Sequence, residues 1–185
     1  MTRHPGVFLD RDGTLIEDPG YLADPAAVRL RPGAADAVAR LNRAGLPAIV
    51  VTNQSGIARG LLSEAQYRAT EARLDLLIAE VGARIDAHYF CPHHPDFTGA
   101  CECRKPGSLL YRAAAERFGL DLTASWWVGD RVRDVAAAAG LGGRALLVLS
   151  GAGREEAARP EASGIPVVAD LAGAVAIILE NPPAA

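Results

Sequence analysis

The sequence predicts an α/β protein, with a mainly parallel sheet between two layers of helices. Three observations carry this. Apolar, β-branched runs such as Leu46 to Thr52 show no polar alternation, as strands covered on both faces do. Between such runs lie segments with apolar residues at helical spacing, for example Leu74, Leu77, Ile78 and Val81. The two kinds of segment alternate along the chain, the pattern of strands joined by right-handed helical crossovers. Together they describe a three-layer, Rossmann-like arrangement, in which ligands bind at the carboxyl ends of the strands.

Val7 to Leu9 is the first strand, and Ile16 to Ala27, with Pro19, Gly20, Asp24 and Pro25, is a loop near its end. Pro32-Gly33 opens a helix that runs to about Ala44, with Ala34, Val38 and Leu41 on one face and Gly45 as its cap. Leu46 to Thr52 is the second strand and ends in a polar loop from Thr52 to Gly56. Ser63-Glu64-Ala65-Gln66 has the form of a capping box, opening a long helix to about Val81. Ile85 to Phe90 is the third strand, and Cys91 to Arg104 is a loop rich in Pro, His and Cys. Ser108 to Phe118 is a helix closed by Gly119, and Trp126 to Val128 is a short strand ending in Gly129-Asp130. A small-residue helix from Val132 to Ala139 is closed by Gly140. Ala145 to Leu149 is the fifth strand, followed by a weaker one at Ile165 to Val168 and a last helix from Asp170 to Leu179. Asn181-Pro182-Pro183 reads as a frayed tail.

The 185 residues are expected to form one domain, 1–185, long enough for a substantial core. A net charge of −3 with no basic block argues against nucleic acid as a partner. No apolar run reaches the roughly 20 residues that span a membrane, and the amino terminus lacks a signal-peptide pattern. A cytoplasmic protein acting on a small molecule is therefore expected, and the chain is taken to be a monomer. The three cysteines fall between Cys91 and Cys103, which in a reducing compartment points to metal or redox chemistry.

Three strand ends carry polar chemistry: Asp10 with Asp12, Thr52 with Asn53, and Asp130. Arg104 and Lys105 join them from the cysteine-rich loop. Carboxylates gathered from separate strand ends suit a hard cation such as Mg²⁺. A hydroxyl, a lysine and loop amides can hold phosphate oxygens. One carboxylate can attack phosphorus and the other serve as acid and then base. Arg11, between the two, is expected to point away from both.

The residues Asp10-Arg11-Asp12-Gly13-Thr14, Thr52, Lys105, and Gly129-Asp130 with Asp134 resemble, in that order, the four motifs of the haloacid dehalogenase superfamily of phosphatases. The resemblance covers nearly the whole chain. It implies a haloacid dehalogenase-like fold with a minimal cap, Asp10 as nucleophile, Asp12 as acid/base, and Thr52 and Lys105 on the phosphoryl oxygens. It further implies Mg²⁺ held by the Asp10 side chain, the Asp12 backbone carbonyl and Asp130, with Asp134 orienting Lys105 or the metal shell.

Three longer runs narrow it: Thr52 to Gly60, Cys91-Pro92-His93-His94-Pro95, and Cys101-Glu102-Cys103-Arg104-Lys105-Pro106. These are similar to the D,D-heptose 1,7-bisphosphate phosphatases, which remove the 7-phosphate on the route to nucleotide-activated heptose. That implies substrate recognition by Arg104 and a sugar site lined by Asp18, Gly20, Tyr21, Asn53, Gln54 and Ser55. Two departures stand out. Pro106 runs straight into Gly107-Ser108, where that family commonly has two more residues, and the cysteine-rich loop is shorter than in many members.

Cys91-x-His93 and Cys101-x-Cys103 offer four soft ligands, enough to close a tetrahedral structural Zn²⁺ site. The resemblance selects His93 over His94. The expected service of this loop, about 91–103, is to fix Arg104 and Lys105. Histidinol-phosphate phosphatase is the alternative within the enzyme class, and Ser55 to Gly60 argues against it. A phosphate-binding module without turnover is the alternative outside it.

Overall fold

The computed structural model describes residues 3–181. The tail expected at Asn181 to Pro183 therefore lies, beyond Asn181, outside the described residues. Six strands form one sheet: β1 (Val7–Leu9), β2 (Ala48–Asn53), β3 (Ala87–Cys91), β4 (Trp126–Gly129), β5 (Arg144–Val148) and β6 (Val167–Val168). Their order is β3-β2-β1-β4-β5-β6 and every neighbouring pair is parallel.

The period-2 alternation of the strands divides the core in two. Val7, Leu9, Val50, Val128 and Leu146 face one layer, while Phe8, Ile49, Trp127 and Leu147 face the other. The first layer holds α1 (Ala34–Arg43), α3 (Glu64–Ala79) and α9 (Leu171–Glu180), through Val38 and Leu41, Leu74 and Ile78, and Val175 and Ile178. Against the second pack α5 (Leu109–Phe118), α6 (Val132–Val135) and α7 (Ala137–Leu141). Trp127 anchors that side, its ring 4.8 Å from Phe8 and 5.5 Å from Tyr111. This is the expected three-layer fold. No helix among the described residues is long and apolar enough to cross a membrane.

Most boundaries agree with the sequence reading within two residues, and the capping box at Ser63 and Gln66 forms with both hydrogen bonds. Four points differ. The loop after β2 is partly helical, as α2 (Ser55–Ala58). The cysteine-rich loop contains one helical turn, α4 (Pro95–Thr98). The helical segment after β4 passes through Gly140 and is closed by Gly142, which takes the left-handed conformation. A short helix, α8 (Gly153–Ala157), was not expected. It has no apolar periodicity, because its buried side chain is Glu156, whose carboxylate accepts the Val132 N–H at 3.0 Å.

Strands β2, β1 and β4 are adjacent, and the chain reverses its direction of travel across the sheet between β1 and β4. At such a switch point the loops leave in opposite directions and a crevice opens at the carboxyl ends. Asp10, Thr52 and Asp130 lie at those three strand ends.

Candidate active site

Asp10 follows β1 directly, and its N–H donates to Val128 O on β4 at 2.9 Å. Beyond it the strand stops. Leu15 N–H donates to Arg11 O and Gly13 N–H to Ile16 O, so residues 11–16 fold into a tight turn. Gly13 has a φ of 85°, and a Cβ there would lie 2.1 Å from Asp130 Oδ2. The turn can press onto Asp130 only because that position has no side chain.

Lys105 reaches this point from the cysteine-rich loop. Its Nζ donates to Asp10 Oδ1 at 2.5 Å and Val51 O at 2.7 Å, and it pairs with Asp134 Oδ1 at 2.8 Å. The side chain is 1 % exposed. Its backbone is clamped by Asn53, which accepts Lys105 N–H at 3.0 Å and donates to Lys105 O at 3.3 Å. Directly after Pro106 the chain makes a tight turn. Gly107 N–H donates to Arg104 O at 2.7 Å, and a Cβ on Gly107 would stand 2.2 Å from Glu102 O.

Asp10, Asp130 and Asp134 present oxygens within 4.8 Å of one another, all buried. Burial drives the Asp10 carboxyl well above its ordinary pKa; Asp134, Asp130 and Asp12 push the same way, and Lys105 pulls back. Burial raises Asp130 to about 6, with Asp134 adding and the Ala152 N–H opposing. Burial alone would discourage charge on Lys105, but Asp10 and Asp134 outweigh it and hold the ammonium well above its ordinary value. One lysine among three buried carboxylates leaves excess negative charge. Asp130 Oδ1 is buried with no hydrogen-bond partner among the described residues. An all-oxygen cluster with an orphaned oxygen fits a hard divalent cation.

Asp12 lines one cavity with Asp10 but is held by other partners. Gln54 Nε2 donates to its Oδ2 at 2.8 Å and to Thr52 Oγ1 at 2.9 Å, and Thr52 Oγ1 lies 3.4 Å from the same carboxylate oxygen. Arg11 does not point away, as the sequence led us to expect. Its Nε and Nη2 grip Asp12 at 3.1 and 2.8 Å, its Nη1 donates to Thr70 at 3.1 Å, and it stacks over Tyr67 while 1 % exposed. The turn at residues 11–16 breaks the strand alternation on which that expectation rested.

Asp10, Asp12, Thr52, Gln54 and Asp134 line this cavity of about 380 Å³. Of the expected substrate contacts, Asp18, Gly20, Tyr21, Asn53, Gln54, Ser55 and Arg104 all line it. Asn53 and Gln54 direct much of their hydrogen bonding inward, to Lys105, Asp12 and Thr52, and Arg104 Nη1 donates to His93 O at 3.1 Å. Sequence reading missed Arg59, His94, Arg131 and Arg133, which also line the cavity. Arg131 Nη2 lies 3.4 Å from Asp18 Oδ2. Asp134, noted in the sequence with its role open, joins the acidic cluster and braces Lys105.

Beside the cavity, Cys91, His93, Cys101 and Cys103 bring one ligand atom each within 4.8 Å of the others. The neighbouring contacts are 3.2 to 3.8 Å. A tetrahedral ion with bonds of about 2.0–2.3 Å has ligand separations of about 3.5–3.8 Å, whereas a disulfide needs about 2.05 Å. Burial pushes the Cys91 thiol far up, and its hydrogen bond with Cys103 adds to this. A cation at the centre would reverse that balance. His93, not His94, belongs to this cluster.

A family model described as "HAD-hyrolase-like" matches residues 102–174. A D-glycero-beta-D-manno-heptose-1,7-bisphosphate 7-phosphatase of Yersinia pestis is 41 % identical over 139 residues, covering 72 % of this chain and 74 % of its own length. The Pseudomonas aeruginosa protein of that name is 37 % identical over 175 residues, covering 94 % and 97 %. Among solved structures, a D,D-heptose 1,7-bisphosphate phosphatase from B. bronchiseptica, complexed with magnesium and phosphate, matches with a TM-score of 0.87. It shares 37 % identity and covers 95 % of this chain and 98 % of its own.

Proposed function

The chain belongs to the haloacid dehalogenase-like hydrolases, in the group of the heptose bisphosphate phosphatases just described, and we propose that it is itself a Mg²⁺-dependent phosphatase that removes the 7-phosphate of D-glycero-D-manno-heptose 1,7-bisphosphate. The observation that carries this reading is the convergence of Asp10, Asp12 and Thr52 on one cavity, with the Lys105 ammonium on Asp10 behind them and the Asp10, Asp130 and Asp134 oxygens gathered beside it.

Asp10 is the nucleophile. Lys105 holds its Oδ1, which orients the carboxylate and leaves Oδ2 for in-line attack. Asp12 protonates the leaving sugar oxygen, then takes a proton from the water that cleaves the aspartyl-phosphate. Arg11 and Gln54 fix that carboxylate so that it addresses the leaving group and not Asp10. Thr52 and Lys105 stabilise the equatorial oxygens of the transferring group. Asp10, Asp130 and the Asp12 carbonyl would hold Mg²⁺, which when bound neutralises charge on the nucleophile and phosphoryl oxygens. Asp134 holds Lys105 in place from behind. Tyr21, Gly20, Asp18, Ser55 and Arg104 line the sugar side of the cavity.

Cys91, His93, Cys101 and Cys103 would hold a structural Zn²⁺. With four ligands supplied by the protein, such an ion would fix the loop and supply no chemistry to the reaction.

The test is a steady-state panel of heptose 1,7-bisphosphate, fructose bisphosphate and histidinol phosphate, with Asp10→Asn as control. The heptose substrate should have the highest kcat/KM, and Asp10→Asn should abolish turnover while phosphate still binds. Normal turnover in that variant would overturn the mechanism. A preference for histidinol phosphate would overturn the substrate.

A further inference from the structure

The cavity is bordered by four arginines, and three of them are spent or loose. Arg131 is drawn to Asp18, Arg104 has one arm on the His93 carbonyl, and Arg133 is exposed with no hydrogen bond among the described residues. Arg59 differs. It follows the short helix α2 and meets the zinc loop, where its Nη2 donates to His94 Nε2 at 2.8 Å. A guanidinium has no acceptor, so the histidine nitrogen must accept. The plane of Arg59 lies over the Phe97 ring, with Cζ 5.0 Å from its centroid. His94 and Phe97 brace each other edge to face at 5.6 Å, and the His94 N–H donates to Thr98 Oγ1 at 3.1 Å.

The guanidinium is thus fixed on an edge and a face, yet its donors are not all used. Nη1 makes no hydrogen bond among the described residues and, unlike the buried Nε, is not sealed from solvent, and no carboxylate of the described residues lies within 4.0 Å. A planar cation held rigidly at a cavity wall with unspent N–H groups has the requirements for phosphate recognition. It makes no hydrogen bond to Asp10, Asp12, Thr52 or Lys105, so it does not compete for the reacting phosphoryl group.

We propose that Arg59, positioned by His94 and Phe97, binds the second, non-reacting phosphate of the substrate and sets the preference for a bisphosphate over a monophosphate. This rests on the bisphosphatase reading above. It also gives His94, which is no ligand of the metal cluster, a task in the cavity.

The experiment compares heptose 1,7-bisphosphate with heptose 7-phosphate in the wild type, Arg59→Met, Arg59→Lys and His94→Ala. Arg59→Met should lower the bisphosphate-to-monophosphate ratio of kcat/KM by about 10- to 100-fold, carried by KM. Arg59→Lys should recover part of it. His94→Ala should move it in the same direction with zinc content unchanged. An unchanged ratio in Arg59→Met, or equal losses on both substrates, would overturn the proposal. Calorimetry in the Asp10→Asn background separates this from failure of the underlying reading. If that protein binds the bisphosphate no tighter than the monophosphate, the bisphosphatase reading falls. If it prefers the bisphosphate and Arg59→Met leaves the affinity unchanged, only the Arg59 assignment falls.

Discussion

Replacing Arg11 by Met tests how the acid/base carboxylate is held. Methionine has a similar unbranched reach, so most packing against Tyr67 persists while the guanidinium is lost. The change deletes a two-pronged contact to Asp12 and a hydrogen bond to Thr70. Removing one partner of a buried pair costs about 3–5 kcal/mol when the other charge is stranded. Asp12 is not fully stranded, because its side chain is 17 % exposed and Gln54 still donates to it at 2.8 Å. The loss should therefore fall at or below the lower end, about 2–3 kcal/mol. For a chain of this length that lowers Tm by about 5–10 °C.

The effect on rate should depend on the leaving group. A sugar alkoxide must be protonated as it departs, so a mobile Asp12 should slow transfer to Asp10 by about 10- to 100-fold. A nitrophenolate leaves without a proton, and its transfer step should change less than about threefold. Steady-state rates mix this step with hydrolysis of the aspartyl-phosphate, which also needs Asp12. Rapid-quench measurement of the first step avoids that. Equal slowing with both substrates, or an unchanged Tm, would refute the proposed link between Arg11 and proton transfer.

Two other variables probe the metal sites. The Asp130 carboxyl is raised to about 6 by burial, so without metal its contribution to stability is complete below about 4 and lost as pH rises through about 6. That amounts to about 3 kcal/mol, and Mg²⁺ needs the ionised form; the rise in Tm on adding Mg²⁺ should be larger at pH 7.5 than at pH 5 by scanning calorimetry, and equal rises would contradict it. Metal analysis of wild type should find one zinc per chain, and Cys101→Ser should abolish it and lower both Tm and kcat; full zinc with normal activity in that variant would remove this ligand from the set.

The fold and the gathering of the candidate site were legible where they are written as local patterns. Each strand is a short apolar run, and Asp10, Thr52 and Asp130 stand at the ends of three of them. What escaped was side-chain direction. Arg11 looks like a bystander only if residues 10–12 continue the strand, and hydrogen bonds from Gly13 and Leu15 turn the chain there instead. Asn53 and Gln54 were expected to face substrate, yet spend much of their hydrogen bonding on Lys105, Asp12 and Thr52. Spacing cannot show which way an amide is turned. Arg59 and His94 stand in runs that were noticed for other reasons, and they meet only because α2 and the cysteine-rich loop fold against each other.

Lys105 poses the sharpest structural problem. Between residues 92 and 108 no apolar side chain is buried, and Lys105 is the buried residue of the stretch. The segment has one helical turn, α4, yet must deliver an ammonium group between Asp10 and Asp134. Fixing some seventeen backbones costs on the order of 20 kcal/mol, and no core contact is there to offset it. The cluster of Cys91, His93, Cys101 and Cys103 ties both ends of a thirteen-residue span together two residues before the lysine. Structural zinc binding contributes about 10–16 kcal/mol, a magnitude of the right order for the task. The Asn53 clamp and the turn at Gly107 then fix the last three residues. On this reasoning the proposed zinc replaces a hydrophobic core for one loop. The same loop carries Lys105 into the reacting centre and His94 to Arg59, so loss of the metal should disturb catalysis and substrate preference together.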